Sequence, residues 1–317
     1  MKRICIYLSV VIAGLVFVLE PSTVDAAAKV EKISITYVKL PLNAPAILAK
    51  RLGLFEKEFG PDGITIVRPE LTAGPQQTQA LASGSVQFAS VLSSDSAILA
   101  RSNGMDLKII AAFSRAPKAF NIMAKNPAIK KVTDLKGKTV AGQKGSLLNH
   151  LLFAALKREG LTPADIKYVN MPGSQARAAL MSDSADAALI AGPSLVSAEA
   201  AGARVIANGD GLIGGLLVVA VTGPFLKDYP DLVKRYLKVH DQAFQYLKNN
   251  RAESIKIIAE ETQIGEADVK RMLPWYDYSS KITDADLADL AATQTFLKDS
   301  DMLTNAVNIR DLIGVVP

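Results

Sequence analysis

The chemistry open to this chain is bounded by how few reactive side chains it holds: two histidines, His150 and His240, and one cysteine, Cys5, in 317 residues. Two histidines without a partnering cysteine do not make a common zinc cluster, and no His-Glu-x-x-His pattern is present. There is no Gly-x-Ser-x-Gly nucleophile turn and no phosphate-binding P-loop. No metal, cofactor or catalytic residue is therefore expected. His240 falls on the apolar stripe Val233, Tyr236, Leu237, Ala243, Phe244 and Leu247, which reads as a core position. His150 sits in the first two turns of a helix, off its apolar face, and is expected either at a ligand or at the surface.

What the sequence does supply is polar turns that start helices. In Val140-Ala-Gly-Gln-Lys-Gly-Ser146, a short strand runs into a glycine turn and then a serine in N-cap position. Leu148, Leu151, Leu152, Ala155 and Leu156 follow on one helical face. Such a start leaves backbone N–H groups unpaired at the positive end of the helix dipole, which suits an anion. Similar turns recur at Asn43, at Gly74 to Gln76, at Ser93 to Ser96, at Gly173 to Gln175 and at Gly192 with Pro193. Lys144 and Arg177 flank two of them and either add charge to an anion site or stand in solvent.

Three other features are given structural readings. Gly209-Asp-Gly211-Leu-Ile-Gly214 satisfies Gly-x-Gly-x-x-Gly, but it runs into the β-like Leu216 to Val221 where a dinucleotide site needs a helix, so it is expected to be a flexible connection. The pairs Glu260/Glu261 and Asp299/Asp301 are expected on solvated positions. Trp275-Tyr-Asp-Tyr278 is expected to pack, or else to line the mouth of a cleft.

The elements that must position these turns alternate. Strands are expected at Lys32 to Val38, Ile64 to Arg68, Val86 to Leu92 and Leu107 to Phe113, with a helix carrying Leu48, Leu52, Phe55 and Phe59, then helices at Gln76 to Ser83 and Ala97 to Ser102. The pattern restarts with strands at Phe120 to Ala124, Ile166 to Asn170, Ala185 to Ile190, Arg204 to Ala207 and Leu216 to Val221, and helices at Ala176 to Met181 and Ser194 to Ala201. A helical tail follows at 231–249, 252–262, 266–272 and 284–298. Alternation of this kind predicts an α/β fold with largely parallel sheets, and ligands collect at the carboxyl edge of such sheets. The expected organisation is residues 27–120 plus 223–317 as one lobe with the tail packed on it, and 121–222 as a second. Chain crossings near 115–121 and 218–224 would form a hinge beside an interlobe cleft.

Composition agrees with a folded, exported protein. Hydrophobic residues make up 49% and charged residues 21%, which argues against disorder. Lys2 and Arg3 followed by the apolar Ile4 to Leu19 and the small residues around Ala26 read as a cleaved secretory signal. Its removal takes Cys5 with it, so the mature periplasmic chain has neither disulfide nor thiolate. The net charge of +5 is spread without runs, and aromatics are 6%, so nucleic acid is a poor partner and a small anion a good one.

Several stretches carry a resemblance: Leu54-Phe-Glu-Lys57, Ala73-Gly-Pro-Gln76 with Ala80, Leu81 and Gly84, Asp134-Leu-Lys-Gly-Lys138, Lys144-Gly-Ser146, Ala185-Asp-Ala187 and Gly202-Ala-Arg204. Together they resemble the periplasmic substrate-binding components of ABC importers for aliphatic sulfonates, taurine and nitrate, a group that also takes in binders of thiamine pyrimidine precursors. The resemblance runs from Ile35 to about Ile313. It implies a type II periplasmic binding fold, with an ABC permease and its ATPase subunit as partners of a monomeric receptor. It implies ligand contacts at Leu42, Asn43, Gly74, Gln76, Ser93, Ser94, Ser146, Leu147, Gln175, Gly192 and Pro193. Many members carry Trp and Asp before the proline where this chain reads Ala191-Gly192-Pro193, and that loss of bulk and charge opens the pocket to a different ligand. Two rivals follow from the same fold: a biosynthetic enzyme, which would need a cleft histidine or carboxylate with a base partner, and a sensory module.

Overall fold

Strands that are apolar on both faces can be satisfied only by cover on both sides, and two open sheets of this kind organise the chain. The structure, a computed structural model, describes residues 29–316. The expected signal, Met1 to Ala26 with Cys5, lies outside the described residues.

The chain begins with β1 (Lys32–Ser34), α1 (Ala44–Arg51), α2 (Leu54–Phe59) and β2 (Thr65–Val67), the last pairing in parallel with β1. The helix expected through Leu48 to Phe59 is broken in two at Gly53, whose φ of 64° is left-handed, yet Leu48, Phe55 and Phe59 all stay buried. Next come α3 (Gly74–Ala82), β3 (Ala89–Ser93), α4 (Ser94–Ser102) and β4 (Leu107–Arg115).

After β4 the chain forms β5 (Phe120–Ala124), β6 (Thr139–Gly142), α5 (Leu147–Arg158), β7 (Lys167–Asn170), α6 (Gly173–Met181), β8 (Ala187–Ala191), α7 (Pro193–Ala200) and β9 (Arg204–Asn208). It then returns through β10 (Leu216–Thr222) to a helical tail of α8 (Gly223–Asp228), α9 (Pro230–Asn249), α10 (Arg251–Thr262), α11 (Glu266–Met272), α12 (Asp284–Asp299) and α13 (Ile309–Leu312).

The first sheet has the order β3-β10-β4 and the second β7-β6-β8-β5-β9. Neither is the largely parallel sheet that alternation predicts. β6 pairs in parallel with β7 and β8, but β5 is antiparallel to β8 and β9, and β10 is antiparallel to β3 and β4. β5 and β10 are the two strands that arrive from the other sheet, so no βαβ crossover obliges them to run parallel to their neighbours. β10 also corrects the expected grouping, which placed it with the second set of strands. Buried on both sides over Leu216 to Val221, it fills the centre of the first sheet.

The tail covers that sheet's layer. α9 lays Val233, Tyr236, Val239, Ala243 and Leu247 against α1 and α2, and the Tyr236 ring stacks on Phe88 with centroids 4.2 Å apart. Glu261 on α10 is not solvated as expected; its carboxylate accepts from Lys50 Nζ at 2.5 Å and from the Tyr37 hydroxyl at 3.0 Å, tying the tail to α1. α12 packs on α4.

The two connections between the sheets, Ala116–Ala119 and Gly209–Gly215, lie against each other. Ala116 N–H donates to Gly215 O at 3.1 Å, and Gly209 N–H to Pro117 O at 3.2 Å. A Cβ on Gly215, already at φ 61°, would come within 2.8 Å of the Ala116 and Pro117 backbones. The glycine-rich segment expected to be flexible is thus a close-packed double crossing, and it falls at 209–215 rather than near 218–224.

Candidate functional site

The start of α5 is held open by its own side chains. Ser146 Oγ accepts from Asn149 N–H at 3.3 Å and donates to Gln143 O at 2.8 Å, while Asn149 Oδ1 accepts from Gly145 N–H at 3.2 Å. Asn170, at the end of neighbouring β7, takes the Lys144 N–H at 2.9 Å. These bonds fix the turn and leave the first helical amides, of Leu147 and Leu148, without intrahelical acceptors at the positive end of a twelve-residue helix.

Opposite stand the starts of α3 and α4. α3 begins at Gly74 with Pro75 in its first turn and no side-chain cap. Gly74 lies so close to α4 that a Cβ there would overlap Ser96 Oγ. Gln77 is buried; its Nε2 donates to Leu71 O at 3.0 Å and to Val91 O at 3.3 Å, and its Oε1 accepts from Thr36 Oγ1 at 3.3 Å, which pins α3 to the sheet. Ser93 Oγ donates to Ser96 Oγ at 3.0 Å.

Between these helix starts is a cleft of about 940 Å³, lined from both sheets. Thr72, Gly74, Pro75, Gln77, Ser93, Asp95 and Ser96 form its polar wall on one side. Gln143 to Ser146 form the other, with Leu40, Leu42, Leu99, Phe120, Leu148, Leu217 and Met302 between them. Asp95 and Lys144 are the charged residues of this lining. Asp95 is 2% exposed, its Oδ1 has no hydrogen-bond partner, and burial pushes its carboxyl up to about 6 against the opposing pull of Ser93 and the local amides.

Of the positions expected at a ligand, Leu42, Gly74, Ser93, Ser146 and Leu147 line this cleft. Asn43 does not: fully buried, it turns its Nδ2 to Val38 O at 2.9 Å behind the wall. Ser94 is likewise fully buried. Gln76 and Gln175 are exposed outside the lining, although Pro172, just before α6, is part of it. Gly192, at φ 56°, donates its N–H to Ala119 O at 3.1 Å beside the crossing, and neither it nor Pro193 is in the lining. Lys144 is there and Arg177 is not. The expected contacts left out Gln77 altogether, and Asp95 and Ser96 although the polar turn Ser93 to Ser96 contains them; an aspartate in the first turn of α4 reads as a helix cap, and only the folded structure places it in the cavity lining.

His150 meets neither expectation. It is 7% exposed, lies outside the cleft and stacks on Phe296 of α12 with centroids 4.4 Å apart. His240 is a core residue between Phe113 and Tyr236. Burial pulls both imidazoles down to about 4, so both are neutral at pH 7. Trp275 packs against the apolar clusters of both halves, under Arg271, which pairs with Glu199 of α7 at 2.6 Å. Among the described residues no group of three or more His, Cys, Asp or Glu could hold a metal, and no helix is long and apolar enough to cross a membrane.

The model of the NMT1/THI5-like family matches residues 41–254. A chain of Escherichia coli (strain K12) named for binding aliphatic sulfonates is 32% identical over 250 residues, 78% of this chain and 76% of that one. The taurine-binding periplasmic protein of the same strain is 26% identical over 298 residues, 89% of this chain and 91% of its own. Among solved structures, the alkanesulfonate-binding protein SsuA from Xanthomonas axonopodis pv. citri, bound to MOPS, superposes with a TM-score of 0.80 at 29% identity, covering 91% of this chain and 99% of that one.

Proposed function

Because this chain belongs to the NMT1/THI5-like family and has the two-lobe fold of periplasmic binding proteins, we propose that it is the solute receptor of an ABC importer, binding a small organic sulfonate or a related anion between its lobes. The observation that carries this is the cleft of about 940 Å³ with the start of α5 on one wall and those of α3 and α4 on the other, where backbone donors can meet an anion and no histidine belongs to the lining.

The lobes are proposed as 27–120 with 223–317 and 121–222, except that β10 joins the first. Leu42, Gly74, Ser93, Ser146 and Leu147 are proposed to contact the ligand directly. Gln76, Gln175, Gly192 and Pro193 border the same helix starts and join when the lobes close; Asn43 and Ser94 support the wall from behind. The receptor role is non-enzymatic: both histidines sit away from the cleft. Export with cleavage near Ala26, a periplasmic location, a monomeric state and docking to the permease and its ATPase subunit belong to the same reading.

The test is titration calorimetry of the purified chain with alkanesulfonates, taurine and nitrate, backed by thermal shift. Saturable one-to-one binding of a sulfonate supports the proposal. A chain that is stabilised by none of these anions would defeat it.

A further inference from the structure

The charged groups in the cleft lining are of opposite sign and come from opposite lobes: Asp95 at the start of α4 and Lys144 in the turn before α5. Asp95 and Leu99, four apart on α4, share a helix face, and with Ser96 they line the cavity. A carboxylate here is costly. It is 2% exposed, it forms no salt bridge among the described residues, and its Oδ1 is without a hydrogen-bond partner. A receptor for a simple anion gains nothing from it, because like charge at the same cavity wall repels the ligand.

From this we infer that Asp95 is a specificity-determining residue that receives a cationic nitrogen of the ligand, so that the cleft selects zwitterions over plain anions. The inference rests on the receptor reading above and names its substrate class. The anionic end lies toward the α5 amides and Lys144, the only end of the cavity free of negative charge among its lining residues. The ammonium end lies toward Asp95, where it pairs the buried charge at the cavity wall. Lobe closure strengthens both contacts by removing water from between them.

The experiment compares matched pairs that differ only in the amine: taurine against ethanesulfonate, and 3-aminopropanesulfonate against propanesulfonate. Each is titrated calorimetrically into the purified chain and into Asp95→Asn. The amine-bearing member of each pair is expected to bind the wild type about tenfold or more tightly, the range of a charge-assisted hydrogen bond. In Asp95→Asn the preference should collapse, chiefly through loss of amine-bearing ligand. If the wild type binds both members of each pair equally, or if Asp95→Asn keeps the preference, the assignment of Asp95 is overturned while the receptor reading stands. If none of the four sulfonates binds the wild type, the sulfonate reading itself falls and takes this assignment with it.

Discussion

The guanidinium of Arg115 and the carboxylate of Asp286 form a two-pronged pair, Nε to Oδ1 and Nη2 to Oδ2, each at 2.6 Å. Arg115 ends β4, immediately before the crossing to the second sheet, and Asp286 lies in the first turn of α12, so this one contact ties the hinge to the tail. Further donation from Arg115 to Ser279 and Lys281 carbonyls, at 3.0 and 2.7 Å, and from Thr283 to Asp286, at 2.7 Å, makes a network around a side chain only 5% exposed. Burial opposes ionisation of Asp286, but Arg115 and Thr283 more than offset it and hold the carboxyl below its usual range. Removing either partner strands the other charge, so Arg115→Ala and Asp286→Ala should each lower stability by about 3 kcal/mol, with the double variant well short of the sum. Urea midpoints measure this; additive losses would mean the two side chains act independently.

The crossing gives a second prediction. Gly215→Ala meets both a left-handed φ of 61° and backbone atoms 2.8 Å from the new methyl, whereas Gly202→Ala meets only its φ of 88°, with nothing within 4 Å. Strain alone costs about 1–2 kcal/mol, and overlap with backbone adds a comparable amount. Gly215→Ala should therefore lose roughly twice the stability of Gly202→Ala in denaturant melts. Equal losses would show that the two connections are not in rigid contact.

That crossing also marks where sequence reading stopped being enough. The periodicity of 216–221 announces a strand but says nothing of which sheet receives it or in which direction it runs, because those depend on contacts with β3 and β4, more than a hundred residues earlier. Helix starts were legible because capping is local: Ser146 is the N-cap its position implies. Which way a polar side chain turns is not local. Asn43 and Ser94, in the same kind of turn as Ser93, face inward, while Asp95 is held at the cavity by its helix phase.

Ser146 offers a direct probe of the cleft. Its side chain is half-buried at the wall, so a larger group fills the site rather than the core. Ser146→Phe should abolish ligand binding in calorimetry, and the lost cap should cost only about 1 kcal/mol in melts. A variant that keeps wild-type affinity would remove the α5 start from the binding surface.

Asp95 should make the protein less stable than it could be at neutral pH. Its folded value of about 6 lies above the ordinary 3.8, so its contribution is fully present below 3.8 and is lost as pH rises through 6. The cost above that point is about 3 kcal/mol. Asp95→Asn, of the same shape and never charged, should be more stable than wild type at pH 8 and nearly equal to it at pH 4. A stability difference that does not change between those two pH values would mean that the carboxyl is solvated in the folded chain.

The buried imidazoles work in the opposite direction over almost the same range. Both are pulled from 6.5 to about 4 by burial, so each contributes stability that is complete above 6.5 and lost as pH falls through 4. At about 3 kcal/mol each, two such groups outweigh the gain from protonating one Asp95, and acid must destabilise the fold between these limits. His150 and His240 differ in what that does. His240 sits in the core with Phe113 and Tyr236, so protonating it places a charge inside the packing of the first lobe. His150 is on α5 and stacks on Phe296 of α12, so its protonation first loosens the contact between the binding helix and the tail. His150→Phe, which keeps a ring against Phe296, should therefore remove about 3 kcal/mol, half of the histidine contribution and most of the net fall in stability from pH 6.5 to 4, and hydrogen exchange at pH 5 should show slower opening of α5 than in wild type. An unchanged slope would place the His150 ring in solvent in the folded protein and not against Phe296.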